Sequence, residues 1–216
     1  MHFLKRHFGI WLAALLLLGV PMLSPVLAQD APQIGASALL QDVDGNQVGT
    51  VRFLEEADFG TLAIVVQVQN LTPGFHGFHL HTTGQCDPGA DPPFSSAGGH
   101  LNPADTNHPE HAGDLPPLLV MQDGTAAISV RTDRLALADL LDDDGSAIIV
   151  HANADNFAHI PERYAEAPDD DTLSSGDSGD RVACGVIEEG DIAPSEPAEA
   201  AATEEAAAES EDAESE

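Results

Sequence analysis

The stretch TLAIVVQVQ, residues 61–69, places Leu62, Ile64, Val66 and Val68 at every second position, with Thr61, Ala63, Val65, Gln67 and Gln69 between them. Successive side chains of an extended chain point to opposite faces, so one strand can bury a continuous apolar face while its reverse carries polar groups. The same period recurs where Ala126, Ile128 and Val130 alternate with Ala127, Ser129 and Arg131. Further strand-like runs lie at 36–40, 47–54, 77–81, 118–122, 147–151 and 181–187, which makes eight short strands in all. Asp44-Gly45-Asn46, Asp123-Gly124 and Asp144-Gly145 supply residues that accept the positive φ of tight hairpin turns. No long amphipathic helix interrupts the series, and only a turn is expected around 137–141. The pattern predicts an all-β fold, an antiparallel sandwich or flattened barrel.

Two long connections, 82–117 and 152–180, break this rhythm and are rich in Gly, Pro, Asp and Asn. Loops of such length within one domain are usually functional or disordered. The ends of the chain differ from its middle. Residues 1–28 carry Lys5 and Arg6, an apolar run from Phe8 to Val20, and then Val26-Leu27-Ala28, which reads as a secretory signal cleaved after Ala28. The apolar run is shorter than the roughly 20 residues a membrane span requires, and Pro21 and Pro25 would break a longer helix; a retained N-terminal anchor is the competing reading. Beyond Gly190 the chain is Ala, Glu, Ser and Pro with little to bury, so 190–216 is expected to be a disordered acidic tail. A single β-domain is thus expected over 29–189.

Charge narrows the function. The 216 residues hold 37 acidic and 7 basic side chains, for a net charge of −30. Phosphate neutralisation cannot drive binding by such a polyanion, which excludes nucleic acid as a partner. Removal of the leader would leave five Arg, no Lys and all 37 acids, a net of −32. Attraction for a small anion must therefore be local. Export, to the periplasm or beyond the cell, would place the only two thiols, Cys86 and Cys184, in an oxidising compartment where one disulfide is the natural outcome; two buried free thiols are the alternative.

Eight histidines follow the leader. His79 and His81 share one face of a strand and can grip one ion together, although a His-x-His pair alone is weak evidence. Downstream come Gly98-Gly99-His100, then His108, then His111-Ala112-Gly113-Asp114, and finally His151 at the end of Ile148-Ile149-Val150. His and Asp three apart on a turn can converge on one cation, and three His with one carboxylate suit tetrahedral zinc. Six histidines and a carboxylate on separate segments point to metal binding.

These residues resemble the copper,zinc superoxide dismutase family in its exported bacterial form. The likeness rests on Gly77-Phe78-His79-Leu80-His81, the segment from Gly84 to Cys86, Gly98-Gly99-His100, His111 to Pro116, Val150-His151 with Asp155, and Asp180 to Ile187, all in the family's order. It implies an eight-stranded antiparallel Greek-key sandwich or flattened barrel carrying two functional loops. It also implies copper held by His79, His81, His100 and His151, with His100 bridging to zinc held by His108, His111 and Asp114. Asp155 would hydrogen-bond one histidine of each metal, Arg181 would guide superoxide, and a Cys86–Cys184 disulfide would pin the first loop to the last strand. One departure stands out: His108 and His111 are only three apart, shorter than is usual for these ligands. The zinc loop must then be reshaped, or His108 is solvated surface. His76 and His159 match no ligand and are expected to be solvated or locally hydrogen-bonded.

Imidazole ligands suit both oxidation states of copper, so the resemblance implies one-electron dismutation of superoxide to dioxygen and hydrogen peroxide. His100 and Arg181 would be the catalytic side chains. A non-catalytic exported copper-binding or buffering protein on the same fold is the alternative. No membrane-spanning segment is expected after cleavage, and the chain would act as a homodimer or a monomer.

Overall fold

In the computed structural model, residues 34–56 and 58–191 are described; the expected leader and nearly all of the expected tail lie outside them. Among the described residues ten strands form: β1 (Ile34–Asp42), β2 (Gln47–Glu56), β3 (Thr61–Val68), β4 (Gly74–His76), β5 (Phe78–His81), β6 (Leu118–Val120), β7 (Ala126–Thr132), β8 (Ala147–His151), β9 (Arg181–Val186) and β10 (Glu188–Glu189). The alternating stretch 61–69 becomes β3, the inner strand between β2 and β7, with Leu62, Ile64, Val66 and Val68 all buried. All eight expected strands are present. The two additional ones, β4 and β10, are too short to show a period.

The main sheet runs β5-β8-β9-β1-β2-β3-β7, antiparallel throughout, with β10 pairing β1 alongside β9. β9 thus returns after a long excursion to lie beside β1, the Greek-key connection. The sheet curls around one apolar core that includes Leu40, Phe53, Ile64, Leu80, Leu118 and Ile148. A separate ribbon pairs β4 with β6; β6 packs on β7, and only Gly77 separates β4 from β5.

Of the three expected hairpin turns, only Asp44-Gly45-Asn46 joins strands that pair with each other, β1 and β2. Asp123-Gly124 links β6 to β7, which lie in different sheets. Asp144-Gly145 precedes β8, and the Asp144 carbonyl accepts from Gly84 N at 3.0 Å, so this turn anchors the first loop. The expected turn near 137–141 is a short 3-10 helix, Leu137–Asp139. The second loop contains a helix that the sequence reading missed, α1 (Asp170–Ser175). Asp169 caps its start by accepting from Thr172 N at 2.9 Å, and Gly176 ends it at φ 64°.

β5 and β8 position the site. Phe78 and Leu80 of β5 enter the main core, so the two-residue period sends His79 and His81 to the opposite face. Ile148 and Val150 of β8 join the same core, whereas Ala147 and Ile149 pack under the first loop with Phe94, Ala97 and the Cys86–Cys184 pair. β8 is therefore buried on both sides, which explains its unbroken apolar run. Gly190 and Asp191 remain attached to the barrel: Gly190 N donates to Gly35 O at 2.9 Å, and Arg52 Nε donates to Asp191 at 3.0 Å.

Candidate metal centre

β5 is an edge strand of the main sheet, and its free edge is taken by the first loop. Leu101 N donates to Leu80 O at 2.8 Å, Leu80 N to Gly113 O at 2.9 Å, and Gly113 N to Leu101 O at 2.9 Å. These bonds set His100 opposite His81 and Asp114 opposite His79 as isolated bridges. Gly113 is required by the close approach, because a Cβ there would sit 2.5 Å from Leu80 O. β8 pairs with β5 on the other side, and a bulge between Val150 and His151 sets His151 across from Arg181. Residues remote in sequence thereby meet at the outer face of β5.

The imidazoles of His79, His81, His100 and His151 crowd together, with neighbouring ring centroids 4.0–5.9 Å apart. One nitrogen each of His81, His100 and His151 lies within 4.8 Å of the others. A second group of the same tightness joins His79, His100, His108 and Asp114. His111 borders it, with Nδ1 3.3 Å from His100 Nδ1 and 3.2 Å from Asp114 Oδ1. His100 belongs to both groups. His108 is 2% exposed, so the solvated-surface alternative for it is overturned. Its backbone N–H donates to Leu173 O at 2.8 Å, which ties the first loop to α1.

Each ring is oriented through one nitrogen, leaving the other turned inward. His79 and His108 both donate from Nε2 to Asp155, at 2.9 and 2.8 Å. His81 Nδ1 donates to Gly98 O at 3.0 Å and His151 Nδ1 to Gly179 O at 3.1 Å. The remaining nitrogens, His79 Nδ1, His81 Nε2, His108 Nδ1, His151 Nε2 and also His100 Nε2, are buried without a hydrogen-bond partner. His108 Nδ1 lies 3.1 Å from Asp114 Oδ2 but out of line for a hydrogen bond. A buried polar atom left unpaired costs about 1–3 kcal/mol, so five in one cluster call for an electron-pair acceptor. Imidazole nitrogens beside a carboxylate are donors that copper and zinc accept.

At three of the histidines burial favours the neutral form. Burial lowers His81 well below the ordinary imidazole range, and lowers His100 to about 4 and His151 to about 3. For His108 burial also opposes the charged form, but the adjacent carboxylates of Asp114 and Asp155 outweigh it and raise the group to about 9. Burial opposes ionisation of both carboxyls as well, yet their histidine partners hold Asp114 and Asp155 below the usual carboxylate range. Gly176 packs against this set: its left-handed φ favours glycine, and a Cβ there would collide with Asp155.

Half-buried Arg181 donates from Nη1 to Phe94 O and from Nη2 to Gly98 O, both at 2.5 Å. Gly98 O thus receives both His81 and Arg181, fixing the guanidinium beside the histidine cluster. Five N–H donors less two leaves three for an anion. Cys86 and Cys184 form a disulfide, Cα–Cα 5.7 Å, that pins the loop carrying those carbonyls to β9. The expected ligand segments, Asp155, Arg181 and the disulfide therefore all surround one place. His159 is exposed elsewhere, while His76 is buried behind the site, its ring 2.7 Å from His151 O and 2.8 Å from Thr72 O. The carbonyls of Gly98 and Gly179 were invisible to sequence reasoning, since a backbone acceptor has no residue signature.

A buried cluster of uncommitted imidazoles on a curled antiparallel sheet, with an arginine at its side, defines a metalloprotein of the superoxide dismutase class. The family model for Copper/zinc superoxide dismutase (SODC) matches residues 47–187. The chain is 43% identical over 190 residues to a Cu-Zn superoxide dismutase of Mycobacterium tuberculosis, covering 80% of this chain and 79% of that one. It is 34% identical over 174 residues to one from Salmonella typhimurium, covering 75% and 89%. The crystal structure of a SOD-like protein from Bacillus subtilis superposes with a TM-score of 0.58 at 33% identity, covering 70% and 97%. The chain belongs to the copper/zinc superoxide dismutase family.

Proposed function

We infer that the protein dismutates superoxide, with copper held by His79, His81, His100 and His151 and zinc by His100, His108, His111 and Asp114. The observation that carries this reading is the set of five buried, unpartnered imidazole nitrogens turned inward around His100. Copper held there would supply the one-electron couple needed to convert two superoxides and two protons to dioxygen and hydrogen peroxide; zinc would supply charge alone.

The chain's own residues do the rest. Asp155 accepts from His79 and His108 and so leaves Nδ1 of both rings uncommitted for the metals they would hold. Gly98 O and Gly179 O do the same for Nε2 of His81 and His151. His100 turns Nδ1 to Asp114 and His111 and leaves Nε2 free, and that atom can take up a proton and give it to the departing peroxide. Arg181 draws superoxide with a permanent charge and free N–H donors. Storage of copper needs no such guanidinium, which disfavours the buffering alternative.

Every proposed ligand comes from one chain, so a monomer or a homodimer would each hold complete sites. The leader-like residues 1–28 and the disulfide support export to the periplasm or beyond the cell. Among the described residues no helix is long and apolar enough to cross a membrane. The test is elemental analysis of the purified protein together with a superoxide-decay assay, repeated on His151→Ala. About one copper per chain and loss of activity in the variant are expected; copper-loaded protein without activity would favour the buffering alternative.

A further inference from the structure

We propose that Arg134 is a positioning residue for the zinc side, bracing from outside the short segment that carries two ligands. Only Pro109 and Glu110 separate His108 from His111. His108 is secured from one side by its backbone bond to Leu173 O of α1. On the other side, Arg134 reaches over from the turn that follows β7. Its Nη1 donates to Pro109 O at 3.1 Å and to His111 O at 3.1 Å. The two N–H groups of one guanidinium nitrogen can serve both carbonyls. Arg134 thereby bridges the carbonyls of the two residues on either side of Glu110 and fixes the backbone from which the His111 ring projects.

The choice of partners sets this arginine apart from Arg52 and Arg131. Arg52 pairs with Asp191 and Arg131 with Glu56, as expected in a chain with 37 acids. Arg134 makes no carboxylate pair among the described residues. Its guanidinium goes to two backbone carbonyls of a ligand segment, as Arg181 does at Phe94 and Gly98. Arg181, at the start of β9, sits beside the proposed copper histidines and is held there by first-loop carbonyls. Arg134 serves the opposite end of the centre, tying the turn after β7 to His111.

The inference rests on the proposed zinc ligands, and the test separates the two. The full chain and the variants Arg134→Met and Arg134→Lys are loaded with copper and zinc. Zinc transfer to a chromophoric chelator is followed, and cobalt(II) is substituted for zinc to record its d–d spectrum. Loss of an outer hydrogen-bonding partner typically weakens metal binding about 10–100-fold. Arg134→Met is expected to lose zinc about tenfold more readily and to change the cobalt spectrum. Its copper content and metal-free melting temperature should stay unchanged, and Arg134→Lys should recover most of the zinc retention. Zinc held by Arg134→Met as tightly as by the unaltered chain would overturn the proposal. So would a fall in metal-free melting temperature matching the loss of zinc, which would make Arg134 a general structural residue. An unaltered chain that takes up no zinc would remove the ligand assignment itself, and the proposal with it.

Discussion

Arg181 shows how one side chain serves both structure and chemistry. Two of its N–H groups secure Phe94 O and Gly98 O, and its strand position sets it across from His151. Arg181→Met should therefore lower the superoxide-decay rate about tenfold, within the range found for electrostatic guidance, while elemental analysis shows unchanged copper. Unchanged turnover would remove Arg181 from the mechanism. The histidines predict a pH response in the chelator-treated protein. His81, His100 and His151 have folded values below the ordinary 6.5, so their stabilisation is present above that pH and lost as pH falls toward 4. Asp114 and Asp155, also lowered, add to the loss at still more acidic pH. His108, raised to about 9, acts in the other direction: its stabilisation is present below 6.5 and lost as pH rises toward 9. The melting temperature of the metal-free protein should peak near pH 6.5, and His108→Gln should flatten the alkaline side while also lessening the acid loss contributed by Asp114 and Asp155, whose values His108 helps to lower. A profile level from pH 6.5 to 9 in the unaltered chain would contradict this.

Among the elements, the first loop depends most on a distant tie. Cys86 and Cys184 are 98 residues apart in sequence, and closing a loop of that length restricts the unfolded chain by about 4–5 kcal/mol in the chain-entropy model. At about 2–4 °C per kcal/mol for a domain of this size, the double variant Cys86→Ser/Cys184→Ser should melt roughly 10–20 °C lower by calorimetry. Its activity should fall further than its copper content, because the loop also carries the carbonyls that hold Arg181, whereas His79, His81 and His151 stay on strands. Equal losses of copper and activity would show that the loop orders the ligands as well as the arginine. β5 illustrates how an edge strand can be turned to use. Its unpaired backbone groups, a liability in a free edge, are satisfied by the segments that carry His100 and Asp114.

For the molecule as a whole, the net charge of −30 opposes the approach of superoxide. Only the metals and a few arginines attract it, and they do so at short range. At 0.1 M salt the Debye length is about 10 Å, so added salt screens the distant acids before it screens Arg181. The rate constant should be level or rise with ionic strength at low salt, as measured by pulse or stopped-flow decay. A steep fall would mean that the attractive field extends beyond the pocket.

The strands of the barrel were legible because period two is a local property: TLAIVVQVQ must bury one face wherever it lies. The ligand segments were legible for a related reason, since His79-Leu80-His81 shares a face by backbone geometry alone. β4 and β10 were not, because two or three residues carry no period and pair only when a partner arrives. Nor could sequence reveal that Asp144-Gly145 anchors Gly84 instead of closing a hairpin, or that α1 holds His108 through Leu173. The short spacing of His108 and His111 left two readings open, and only packing that brought Leu173, Asp155 and Arg134 around that segment made His108 a buried group. Which nitrogen each imidazole turns inward was likewise decided by acceptors far along the chain, Asp155, Gly98 and Gly179, because a ring's orientation follows its hydrogen bonds and these form only when the fold closes.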